Sequence, residues 1–192
     1  MDSQSIVARA LTEHQATLTL VGETLAGPIA DTGAVLARTL ADGGTLLWCG
    51  NGGSAADSQH LAAEFSGRFK ADRRPLRAVA LTRDSSALTC IANDFGYEDV
   101  IARQVAAVGR PGDALVVIST SGESENVLRA LRTAREGGLT TVALLGKGGG
   151  RAAPEADHAL IVPSNTTARI QEAHIFIGHL WCELIESQLG FS

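Results

Sequence analysis

Apolar residues recur at helical spacing through residues 5–41: Ile6, Ala10 and Leu11, then Leu18, Leu20, Val21 and Leu25, then Ile29, Val35, Leu36 and Leu40. Gly27-Pro28 interrupts this run, which predicts two helices rather than one. After Asp42-Gly43-Gly44 the period changes. Five short apolar runs follow, each of strand length: 45–49, 77–81, 114–118, 140–145 and 158–162. Helical patterns separate them at 55–66, 84–92, 97–108 and 124–136, and a last one covers 167–189. Strands alternating with helices predict a parallel sheet covered on both faces. Right-handed crossovers make it an α/β, doubly wound, five-stranded sandwich. The domain organisation expected is one unit over 1–192, with a helical extension at 1–42 and an α/β core with a long last helix at 43–192.

Ligands of such sheets bind beyond the carboxyl ends of the strands. Two loops fall there. Gly50-Asn51-Gly52-Gly53-Ser54 follows the first strand and lets backbone approach a ligand closely. It matches neither the dinucleotide fingerprint nor a P-loop. Ser119-Thr120-Ser121-Gly122-Glu123-Ser124 follows the third strand and opens a helix. One serine there is an ordinary N-cap. Four hydroxyl residues in six positions, at the positive end of a helix, favour a phosphate. Gly146–Gly150 also lacks P-loop spacing and reads as a flexible loop.

The composition narrows the class. Of 192 residues, 45% are hydrophobic and 19% charged, enough for a real core. Aromatics are only 4%, so that core is aliphatic. A net charge of −5 argues against a nucleic-acid binder. Cys49, Cys90 and Cys182 are odd in number and far apart, which fits a reducing compartment. The opening segment MDSQSIVARALTEHQ has early charges and no signal-peptide pattern, and no run reaches membrane-span length. The expectation is a cytoplasmic protein with no membrane partner.

His60 and Glu64 are spaced i, i+4 on the helix that leaves the first loop, so they share a face. The last helix carries Gln171, Glu172, His174 and His179. Histidine and carboxylate suit a first-row metal or acid–base work. A lone His60 reads as an ordinary, partly buried histidine. With Glu64 one turn away, that reading and the functional one stand level.

Four runs carry a specific resemblance: Cys49–Asp57, Ala92-Asn93-Asp94, Ile118–Gly122 and Arg169-Ile170-Gln171-Glu172. Together they resemble the sedoheptulose 7-phosphate isomerase (phosphoheptose isomerase) family of the SIS domain superfamily, over roughly residues 5–190. The resemblance implies an aldose–ketose isomerase that makes D-glycero-D-manno-heptose 7-phosphate through an enediolate. Glu64 would be the base and His179 the acid, with zinc on His60, Glu64, Gln171 and His179. Substrate contacts would come from Asn51, Gly52, Gly53, Ser54, Glu64, Asn93, Asp94, Ser119, Thr120, Ser121, Ser124 and Gln171. Arg68 is a further candidate, against a solvated helix-end arginine. Asp57 reads as a first-turn helix charge, and Glu172 and His174 as structural or interface residues.

The resemblance also implies a homotetramer, built partly on the N-terminal helices, with active sites at subunit interfaces. That bears on one geometric tension: Gln171 and His179 stand about 12 Å apart along a straight helix. Glu123 stands where the family often has Asn, so its charge must point away from a bound phosphate. Ser58 replaces the usual Ala. Two rivals remain. One is a non-catalytic relative that binds the initiator DnaA, in which the carboxylate and last histidine are replaced. The other is an isomerase of a different phosphosugar, because the serine-rich loop reads phosphate and not chain length.

Overall fold

The computed structural model describes residues 2–191. Five strands form one parallel sheet: β1 (Leu46–Gly50), β2 (Ala78–Ala80), β3 (Ala114–Ser119), β4 (Thr140–Leu145) and β5 (His158–Ile161). Six α-helices accompany them: α1 (Ser3–Ala41), α2 (Gly53–Ser66), α3 (Ser85–Phe95), α4 (Val100–Val108), α5 (Glu125–Glu136) and α6 (Thr167–Gln188). The strand order is β2-β1-β3-β4-β5. It reverses between β1 and β3, and the crevice beyond such a reversal is where ligands of doubly wound sheets bind. Leu46–Gly50 pairs with Ala114–Ile118 in register, so the loops after β1 and β3 are neighbours.

Side chains along each strand alternate between two cores, as the pleat requires. Trp48, Val116 and Leu144 face one core with α1, α2 and α6. Leu47, Val117 and Leu145 face the other with α4 and α5.

Three expectations need correction. First, Gly27-Pro28 does not split the N-terminal segment, because α1 runs unbroken from Ser3 to Ala41 with Pro28 inside it. Pro28 removes one i→i−4 hydrogen bond, a cost of about 3 kcal/mol. The stripe Val21, Leu25 and Ile29 stays buried across it. Each such side chain is worth about 1.5–3 kcal/mol. The Trp181 indole N–H on α6 also donates to the Ile29 carbonyl at 3.0 Å. Second, Gly146–Gly150 is not a free loop. It enters a 3-10 segment, Lys147–Glu155, with positive φ at Gly148, Gly149 and Gly150. Gly149 is buried, and the Ala152 N–H donates to the Gly122 carbonyl at 3.0 Å. Third, Asp57 lies beyond the first turn of α2, which contains no acidic residue.

Candidate functional site

The serine-rich loop closes on itself. Ser119 is buried, and its Oγ accepts from the Gly122 N–H at 3.0 Å. Ser121 Oγ accepts from the Glu123 N–H at 3.3 Å. Gly122 has φ +67°, and a Cβ there would fall 2.0 Å from the Gly149 carbonyl oxygen, so only glycine fits. Ser124 occupies the N-cap of α5 but makes no side-chain capping bond. The capping explanation for that hydroxyl therefore fails. Among the described residues the Thr120 hydroxyl has no hydrogen-bond partner either. Two hydroxyls shape the loop and two are free to meet a ligand at the positive end of α5.

Glu123 turns away from this loop. Its carboxylate accepts from Arg151 Nε at 2.8 Å and from the Arg151 N–H at 3.1 Å. The Arg151 side chain holds the Glu123 carboxyl below the usual range. The negative charge beside the serine-rich loop is thus paired with an arginine from the glycine-rich segment.

Across the crevice, Asn51 is held by two residues that the sequence did not single out. Its Oδ1 accepts from Tyr97 Oη at 2.9 Å and from Asn126 Nδ2 at 2.8 Å, and its own Nδ2 donates to Asn126 Oδ1 at 3.0 Å. Asn126 is buried on α5 and links the two loops. A signal existed, since Asn126 occupies the stripe it shares with Ala130 and Ala134. Gly52 and Gly53 begin α2. A Cβ on Gly53 would fall 2.7 Å from Gln171 Nε2, so Gln171 sits over the start of that helix. Ser54 is buried, and Ser58 Oγ donates to the Ser54 carbonyl at 2.8 Å.

Two turns down α2, three side chains converge within one chain. His60 Nε2 lies 3.0 Å from His179 Nε2 and 3.4 Å from Glu64 Oε1. One ligand atom from each of His60, Glu64 and His179 lies within 4.8 Å of the others. Leu61 packs on Gly178, where any larger residue would clash, and this close approach of α2 to α6 brings the triad together. Donor atoms about 2.0–2.2 Å from a tetrahedral ion stand about 3.3 Å apart, so both separations suit a metal. Asp57, one turn earlier, is half-buried. Desolvation raises its carboxyl above the usual range, against the pull of His60 and His179.

The remaining candidates are less engaged. Asn93 and Asp94 are exposed on α3, where Asn93 Nδ2 donates to Asp94 Oδ1 at 2.7 Å. No residue of α3 is buried. Arg68 is exposed just past α2. His174 is fully buried, with Nε2 3.0 Å from the Leu145 carbonyl oxygen, and burial lowers its pKa to about 4. Glu172 pairs with His14 at 2.7 Å and with Arg169 at 2.6 Å, tying α6 to α1. Both contacts lie within this chain, away from the His60, Glu64 and His179 cluster. No described helix is long and apolar enough to cross a membrane.

Comparison with known proteins adds the family. The SIS domain family model matches residues 11–146. The phosphoheptose isomerase of a Nitratiruptor species is 52% identical, covering 94% of this chain and 96% of its own length. That of Aquifex aeolicus is also 52% identical, covering 87% of each. Among solved structures, phosphoheptose isomerase GmhA from Neisseria gonorrhoeae superposes with a TM-score of 0.92 at 43% identity, covering 97% of this chain and all of that one. A phosphoheptose isomerase from Francisella tularensis gives 0.95 at 35% identity over the same shares. This chain therefore belongs to the phosphoheptose isomerases of the SIS domain family, and it is an isomerase.

Proposed function

We propose that this chain, a single SIS domain over 1–192, converts D-sedoheptulose 7-phosphate to D-glycero-D-manno-heptose 7-phosphate through an enediolate. Glu64 is the base and His179 the acid. The observation that carries this reading is the meeting of His60, Glu64 and His179 within 4.8 Å in one chain.

The Glu64 carboxylate takes a proton from C1 of the ketose and, after exchange with solvent, delivers a proton to C2 of the enediolate. The His179 imidazole moves the proton between the neighbouring oxygens. The phosphate lies against Ser119, Thr120, Ser121 and Ser124, and anchoring that end fixes the reacting end. Asn51, Gly52, Gly53, Ser54 and Gln171 line the path, and Asn93, Asp94 and Arg68 complete it. His60, Glu64 and His179 offer the nitrogen and carboxylate donors that zinc prefers. Gln171, whose side chain lies over Gly53, would be the fourth donor. When bound, zinc polarises the substrate carbonyl and offsets developing negative charge.

The assembly is proposed to be a homotetramer in the cytoplasm, with active sites at subunit contacts. The half-exposed Phe95 and Tyr97 beside Asn93 and Asp94 support a covered surface there. Intact Glu64 and His179 disfavour the DnaA-binding reading. The rival of a different phosphosugar is separated by assaying a panel of ketose phosphates of five to seven carbons. The direct test of the site is Glu64→Gln and His179→Asn. Both variants should lose turnover of sedoheptulose 7-phosphate and still bind the phosphosugar. Near-normal turnover in either overturns the assignment.

A further inference from the structure

Past the last turn of α2 lies an ion pair that the reaction itself does not use. Arg73 Nε and Glu186 Oε1 are 2.8 Å apart, with side-chain exposures of 0% and 4%. The same carboxylate accepts from the N–H groups of Phe69 at 3.2 Å, Lys70 at 3.1 Å and Ala71 at 3.0 Å. The guanidinium donates onward to the carbonyls of Glu64 and Phe65, each at 2.9 Å. One buried pair thus fixes the turn that carries Glu64, the segment 69–71 and α6.

What the segment presents is the ring of Phe69. It stacks on the His179 imidazole with centroids 5.5 Å apart and planes at 22°. His60 meets the same imidazole edge-on, at 5.2 Å and 73°. His179 Nε2 faces His60, and among the described residues nothing bonds its Nδ1. A working imidazole usually has its second nitrogen held by a carboxylate or carbonyl. In its absence the ring plane is set by packing.

We propose that Phe69, held by the Arg73–Glu186 pair, is a positioning residue that fixes the plane of the His179 imidazole. The proposal rests on the reading of His179 given above. Phe69 also packs against the core beside α6. Any apolar side chain of similar volume serves that purpose, whereas only a planar ring serves the other.

The test compares Phe69→Leu and Phe69→Met with Phe69→Tyr in the metal-loaded enzyme. The Leu and Met variants should lower kcat about 10- to 100-fold, with KM within about twofold of wild type. The Tyr variant should restore most of the rate. The His179 ring-proton resonance, assigned by its loss in His179→Asn, should move in Phe69→Leu and return in Phe69→Tyr. Phe69 is only partly buried, so each variant should fold, and circular dichroism is the check. A wild-type kcat in both Leu and Met variants, or an unmoved resonance, overturns the proposal. A wild-type rate in His179→Asn refutes the role of His179 itself. It does so with Phe69 intact, which separates the two failures.

Discussion

Replacing Glu186 by Gln keeps the shape of the side chain and removes its charge. The structure makes this change expensive. The carboxylate takes four donors, three backbone N–H groups and Arg73 Nε. An amide has one acceptor oxygen, so its NH2 must face some of those donors. Arg73 is left buried without a counter-charge. Breaking a buried pair from one side costs about 3–5 kcal/mol. For a chain of this size, each kcal/mol moves Tm by about 2–4 °C, so the expected fall is about 6–20 °C. Replacing both partners, as Glu186→Gln with Arg73→Met, should cost less than Glu186→Gln alone, because no buried charge remains.

The pair also predicts an acid limb. Burial raises the Glu186 carboxyl, but the N–H groups of Ala71, Lys70 and Phe69 together with Arg73 outweigh it, leaving the group below its ordinary value. A lowered folded-state value means stability present above the ordinary carboxylate range and lost as pH falls through the folded value. Thermal melts of both proteins at one protein concentration, from pH 7 to pH 3, measure both effects. Wild type should lose its advantage over Glu186→Gln as pH falls. A variant melting within about 2 °C of wild type at pH 7 refutes the reasoning.

Other consequences are measurable. His174, buried with a pKa lowered to about 4, resists a proton that the unfolded chain accepts below about 6.5. Stability should therefore fall by about 3 kcal/mol as pH drops from 6.5 to 4, and urea midpoints of wild type and His174→Gln should show this limb only in the former. Arg151→Ala frees the Glu123 carboxylate beside the serine-rich loop. It should raise KM about two- to fivefold without changing kcat, an effect erased by high salt or by adding Glu123→Asn. Removing metal with a chelator should abolish turnover and zinc should restore it, whereas His60→Ala should bind zinc more weakly by direct titration. Full activity in metal-free enzyme contradicts the proposed centre.

The sheet was legible because its five strands are short apolar runs, four closed by a glycine or hydroxyl residue and the fifth by Pro163. Pro28 misled because a local rule about backbone hydrogen bonds says nothing of the apolar stripe packed against α6. The Gly146–Gly150 run misled in the same way: positive φ at three glycines serves a packed turn under Gly122, not freedom. Within the site, i, i+4 spacing placed His60 beside Glu64, but only the contact of Leu61 with Gly178 delivers His179 to them. The helpers Asn126, Tyr97, Phe69 and Arg73 act through contacts distant in sequence and left little mark on local pattern. Gln171 is the residue whose expected place was hardest to read, since it stands eight positions before His179 and its seat is over Gly53.

The central claim is that a carboxylate moves a carbon-bound proton between neighbouring atoms of the sugar. Running the reaction in D2O and locating deuterium in the aldose product by NMR tests it most directly. The account predicts deuterium on C2, placed there by partly exposed Glu64, and neither exchange nor product with Glu64→Gln. Product formed at the wild-type rate by Glu64→Gln, with or without deuterium on C2, would contradict it.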